Sequence, residues 1–126
     1  MKKIFLLLFG FCLVSLLATL SSCKHELDAP SNPEISFASG VQPIIGINCT
    51  YSGCHGSVDF TRIQLLTYND VLTNGGIEVG NATKSKLYKS ITGKGADIMP
   101  PSPHSPLSDI DIKTILLWIR QGAKNN

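Results

Sequence analysis

Apolar residues are distributed along this chain in two different ways. From Ile4 to Leu20 they are almost continuous, and from about residue 37 onward they recur at helical spacing between polar and glycine-marked breaks. The clearest repeat is Ile112, Ile115, Leu116 and Ile119, at i, i+3, i+4 and i+7. Ser108 and Asp111 open it as a capping box, and Gly122 ends it. Further upstream, Thr67 caps a short helix from Tyr68 to Thr73, with Asp70 in the third helical position and Asn74-Gly75-Gly76 as the stop. A helix from Thr83 to Thr92 carries Leu87, Tyr88 and Ile91 on one stripe and closes at Gly93. A first helix is predicted from Val41 to Cys49, with Pro43 tolerable only in its first turn. Gly56 to Leu66 and the proline-rich Met99 to Pro106 read as loops. Strand signals are scarce, so the expected fold class is all-α.

The continuous apolar run changes the picture of the N-terminus. It follows Lys2 and Lys3 and ends in Ser21 and Ser22, the pattern of a secretory signal over residues 1–22. The run is about long enough to span a bilayer, but the small residues behind it favour cleavage. Leu20-Ser21-Ser22-Cys23 resembles the bacterial lipobox, which implies a lipid on Cys23 and a membrane-anchored mature chain. Residues 23–36, with Pro30, Ser31, Asn32 and Pro33, read as a polar tether, and residues 37–126 as the folded unit. A unit of that size has a modest apolar core, which a buried cofactor would reinforce.

Charge excludes one class of partner. Of the 11 Lys and Arg, Lys2 and Lys3 leave with the leader, so 9 remain against 9 Asp and Glu and no basic patch points to nucleic acid. Lys84, Lys86, Lys89 and Lys94 cluster locally and read as a solvated helix face, with a docking patch for an acidic redox partner as the sharper alternative.

Cysteine usage is more informative. Of four cysteines, Cys12 lies in the leader and Cys23 at the lipid site. Cys49 and Cys54 remain, in Cys49-Thr50-Tyr51-Ser52-Gly53-Cys54-His55. Two nearby thiols with a histidine directly after the second suit covalent haem, the thiols adding to its vinyl groups and the imidazole ligating iron. The usual spacing has two residues between the cysteines; here there are four, so the extra residues must bulge outward, and Tyr51, Ser52 and Gly53 suit a bulge. Met99 is the one methionine left after processing and stands in Ile98-Met99-Pro100-Pro101, where the prolines restrict the loop before any ligation. Its thioether is the candidate second axial ligand, and His104 is the rival; a core methionine filling a gap is the plainer alternative. His25 falls on the tether.

These segments, together with Tyr68-Asn69-Asp70-Val71, Leu107-Ser108 and Trp118-Ile119-Arg120-Gln121-Gly122-Ala123, resemble the cytochrome c domains of bacterial lipoproteins of the Bacteroidetes type and are similar to class I cytochromes c. The resemblance covers about residues 37–126. It implies a helical domain around one haem c, with Cys49 and Cys54 as covalent attachments and His55 and Met99 as axial ligands. It further implies an electron carrier with redox-protein partners rather than an enzyme, exported and lipid-anchored on the periplasmic face or cell surface. In such a fold the first and last helices cross, and Gly46 is expected to give Trp118 room there. His55 and Met99 are expected to face each other across an apolar slot lined by Leu65, Leu66, Leu87, Ile91 and Ile98. Two alternatives stand beside this one: a haem enzyme or sensor with an open sixth position, and a haem-free interaction module stapled by a Cys49–Cys54 disulfide. Zinc is weaker, with two cysteines and scattered histidines on offer.

Overall fold

Four α-helices, one π turn and one 3-10 turn make up the regular structure of the described residues, which contain no strand and are compatible with an all-α fold. The computed structural model describes residues 33–59 and 62–126. The leader 1–22, Cys23, His25 and the tether as far as residue 32 lie outside the described residues, as do Phe60 and Thr61 of the first loop.

The first helix begins earlier than its apolar pattern suggests. A π turn, Phe37–Val41, runs directly into α1, Gln42–Cys49. The Val41 N–H reaches back to the Ser36 carbonyl and the Gln42 N–H to that of Phe37, both across five residues. Pro43 has no N–H, and its ring would collide with the carbonyl four residues earlier in a tight α-turn. A wider turn at this point accommodates it. Ser36 caps the start, accepting from the Ser39 N–H.

The second helix, α2, Tyr68–Asn74, has the predicted capping box: Thr67 accepts from the Asp70 N–H, and the Asp70 carboxylate accepts from the Thr67 N–H. The third prediction needs correction. Instead of one helix over Thr83–Thr92, a 3-10 turn, Ala82–Lys84, is separated by extended Ser85 from α3, Lys86–Ile91. The Ser85 side chain is fully buried, donates to the Asn81 carbonyl and accepts from the Glu78 N–H. The Lys86 and Leu87 N–H groups turn to the carbonyls of Gly76 and Gly75. Serine competes for backbone partners in this way, which is why it interrupts helices as readily as it caps them.

The last helix, α4, spans Asp109–Arg120. Ser108 accepts from the Asp111 N–H as predicted, but its hydroxyl also donates to the Asp111 carboxylate, which replaces the reciprocal half of the box. The helix ends in a full Schellman motif: Gly122 N–H to Ile119 carbonyl and Ala123 N–H to Trp118 carbonyl, with Gly122 at φ 104. Ile115, Trp118 and Ile119 are its buried face, and it packs on the π turn, the 3-10 turn and α3.

Trp118 meets Phe37 at 5.5 Å between ring centroids and Tyr68 at 6.4 Å, and Phe37 meets Tyr68 edge-on at 5.2 Å. Both polar ring groups are satisfied, Trp118 Nε1 by the Lys124 carbonyl and Tyr68 OH by that of Ala123. Gly46 does not serve this crossing: it is exposed, with nothing within 4 Å of where a Cβ would stand. Gly40, in the π turn, is a glycine that does approach α4: a Cβ there would stand 3.8 Å from the Thr114 methyl. Residues 33–36, which the composition groups with the tether, are hydrogen-bonded to the end of the chain through Gln121 and Asn126.

Candidate functional site

Cys49 is the last residue of α1, and the chain then leaves the helix in a closed loop. The His55 N–H donates to the Cys49 carbonyl at 3.0 Å, drawing the two ends of the spacer together. Inside that closure the Cys54 N–H bonds to the Tyr51 carbonyl at 3.0 Å, a turn that leaves Tyr51 and Ser52 exposed. Gly53 takes the left-handed conformation this turn requires, at φ 79. The longer spacer is thus absorbed as an outward bulge.

Gly56 was not singled out by sequence reasoning beyond its place after the Cys-His pair, yet it is as constrained as any residue in the loop. It is buried, and a Cβ there would stand 2.5 Å from the Thr50 carbonyl oxygen. Only glycine lets the outgoing strand of the loop pass this close to the incoming one.

Both thiols are free and half-buried. Burial pushes the Cys49 thiol up from 9.0 to about 11, and Cys54 nearby adds to the effect. It is therefore a neutral thiol at ordinary pH. The ring of His55 is oriented by its own loop: Nδ1 stands 2.9 Å from the Ile63 carbonyl. A carbonyl only accepts, so Nδ1 carries the proton and Nε2 of the neutral ring keeps its lone pair for a metal. The His55 carbonyl in turn accepts from the Leu65 N–H at 3.0 Å, fixing the histidine against a buried leucine.

The second segment is tied to the last turn of α3. Met99 is half-buried, and its N–H donates to the Ser90 carbonyl at 3.1 Å. Buried Leu107 anchors the far end. The two segments meet through Tyr51 and His104, whose rings stack at 4.8 Å and 13°. Beside this stack is an open cleft of about 320 Å³, with Asn48 and Tyr51 on one wall and Pro100, Pro103, His104, Ser105 and Pro106 on the other. None of the five residues expected to line an apolar slot lines this cleft. Leu65, Leu87 and Ile91 belong to the closed core, while Leu66 and Ile98 are 38% and 63% exposed.

Among the described residues no group of three or more His, Cys, Asp or Glu stands together to hold a metal ion. Haem iron asks only axial ligands of the chain, because the porphyrin supplies the other four. The His55 imidazole, with Nε2 available, would fit one axial position, and the two free thiols would fit covalent attachment to the porphyrin. Lys84, Lys86 and Lys94 are exposed and Lys89 half-buried. Among the described residues no helix is long and apolar enough to cross a membrane. Compared with family models, with curated proteins and with solved structures, the chain matches none of them.

Proposed function

We propose that this protein is a membrane-tethered c-type cytochrome that transfers electrons through one covalently bound haem. The observation that carries the reading is the preparation of His55: Nδ1–H is spent on the Ile63 carbonyl, leaving Nε2 free to serve as an iron ligand, in the same backbone-closed loop as two free thiols. Cys49 and Cys54 are the attachment residues. Each thiol would add across a vinyl group of the haem, sulfur to one carbon and hydrogen to the other, with no leaving group. Met99 is the proposed second axial ligand, a neutral soft donor whose pairing with histidine favours a raised potential. The bound haem supplies one-electron chemistry between ferric and ferrous iron. Were His55 and Met99 both to ligate the iron, no position would be left for substrate, and the role would be that of an electron carrier or redox subunit serving partner proteins. The fold is proposed to be of the class I cytochrome c kind, the signal to end at residue 22, and Cys23 to carry the lipid that holds the protein on a bacterial membrane.

The test is expression of the full chain with cytochrome c maturation proteins. The mature protein should exceed polypeptide plus lipid by the mass of one haem, and its Soret band should survive acid–acetone extraction. A mass equal to the apoprotein sinks the proposal. Carbon monoxide binding to the untreated ferrous protein would move the reading to a haem sensor or enzyme with an open sixth position. Cys23→Ser should release the protein from membranes or leave its precursor uncut.

A further inference from the structure

The spacer bulge and the proline-rich segment touch through two exposed rings. Tyr51 is 44% exposed and His104 is exposed, so core packing does not force the contact. Their planes lie within 13° of parallel at 4.8 Å, an offset-stacking distance. Tyr51 owes its position to the spacer: it starts the turn that the Cys54 N–H closes, and it stands outward on the bulge. His104 sits on a segment with little freedom. Pro100, Pro101, Pro103 and Pro106 restrict its backbone. The Met99 N–H pins its start to Ser90, and the His104 N–H bonds to the Pro101 carbonyl at 3.0 Å. A stiff segment held at its base and its tip transmits a constraint at residue 104 to residue 99.

We propose that Tyr51 and His104 form a clasp that holds the Met99 segment over the Cys-His loop, making both of them positioning residues for axial ligation by Met99. The four-residue spacer then has a use: it carries the ring that the second segment rests on. This inference rests on the haem reading above, and it assigns to His104 a role different from that of a rival iron ligand.

The experiment is imidazole titration of the ferric, matured holoprotein, followed by the visible spectrum. Imidazole competes with Met99 for iron, so its apparent affinity reports how firmly the methionine is held. Stacked pairs of this kind shift an equilibrium by about two- to tenfold. Tyr51→Ala and His104→Ala should each tighten imidazole binding by roughly that factor, with a weakened Met-to-iron charge-transfer band. The double variant should be no worse than either single one, because both remove the same contact. Tyr51→Phe and His104→Phe keep a ring in place and should behave as wild type. Should Tyr51→Ala fail to fold, Tyr51→Leu removes the stack with less loss of bulk. Wild-type protein without covalent haem overturns the haem reading and the clasp together. A wild-type spectrum of bis-histidine type that is lost in His104→Ala keeps the haem and overturns the clasp. Met-ligated wild type with equal or weaker imidazole binding in the alanine variants overturns the clasp alone.

Discussion

The two ends of the first helix are held by different physics. At its start, the π turn sits in an aromatic cluster of Phe37, Tyr68 and Trp118, and the N–H groups of Ile35, Phe37 and Ala38 and the Ser36 hydroxyl donate to Gln121 and Asn126. At the other end of α1, about 12 Å away by helical rise, and in the loop that follows it, apolar side chains stand in water. Ile47 and Val58 are 68% and 59% exposed, on either side of the Cys49–His55 loop. Single exposed apolar residues are ordinary, but here they flank two free thiols and an oriented imidazole. One end is finished by the chain's own side chains. The other presents apolar surface and donor atoms together, which on the proposed reading a porphyrin covers. Stability and chemistry are thereby separated along one helix.

The largest effect should come from the closed end. Trp118 is 1% exposed and donates from Nε1 to the Lys124 carbonyl. Trp118→Ala should lower stability by about 3–5 kcal/mol, read as a drop in the urea midpoint of the apoprotein and the holoprotein alike. Ile98→Ala in the apoprotein should stay within about 0.5 kcal/mol of wild type. Equal losses would erase the distinction between the two ends.

Within the loop end, one position should still be unforgiving. Gly56→Ala puts a Cβ 2.5 Å from the Thr50 carbonyl oxygen, a backbone atom that cannot swing aside. The expected loss is about 3 kcal/mol, toward the upper range for overpacking, with a lower yield of covalent haem. Gly46→Ala is the control: an exposed helical site with open space around it should gain about 0.5–1 kcal/mol.

The same division shows in what the sequence could and could not reveal. The Cys49–His55 spacing, the Thr67–Asp70 box and the Ser108–Gly122 helix are local patterns, decided by residues a few positions apart. What escaped is set by distant partners. The helix starts at Phe37 because residues some 90 positions later clamp it, and no local signal announces that. The break at Ser85 depends on burial of a hydroxyl that a helical stripe cannot foretell. Leu66 and Ile98 are apolar like their buried neighbours, and composition alone does not say which side of a loop each takes. Gly46 was the wrong glycine for a similar reason: close approaches are fixed by packing, and Gly40, not Gly46, comes near α4.

A pH experiment sharpens the comparison from the thiol side. The folded Cys49 thiol is raised to about 11 from 9.0 by burial, with Cys54 second. Because the folded value lies above the unfolded one, the neutral thiol's contribution is complete below about pH 9 and is lost as pH rises toward 11. The apoprotein should lose roughly 2 kcal/mol across that window. Cys49→Ala should flatten this part of the profile, measured by urea denaturation at a series of pH values. An unchanged slope in the variant would mean that Cys49 is more accessible than its place at the end of α1 implies.

The smallest effect lies at the joint between the two ends. Thr67 and Asp70 cap the start of α2 just after Leu65, whose N–H bonds to the His55 carbonyl, and on either side of Tyr68, which enters the aromatic cluster. Thr67→Ala should cost about 1 kcal/mol, the usual value of a lost N-cap. The Asp70 carboxyl is held below its ordinary range, first by hydrogen bonding with the Thr67 side chain, then by the Thr67 and Leu66 N–H groups. A lowered folded value stabilises above the ordinary carboxylate range and is lost as pH falls through it. Acid should therefore weaken wild type progressively there, whereas Asp70→Asn should be weaker at neutral pH and less acid-sensitive. Thr67→Ala should also show a reduced acid slope, since it removes the largest cause of the shift. Hydrogen exchange then tells whether the joint couples the ends. If the cap merely starts a helix, the Val71 N–H, which bonds to the Thr67 carbonyl, should lose protection while the His55 N–H keeps its own. Loss at both would show that the loop carrying the candidate site is tensioned through α2, and that the two ends are less independent than their packing suggests.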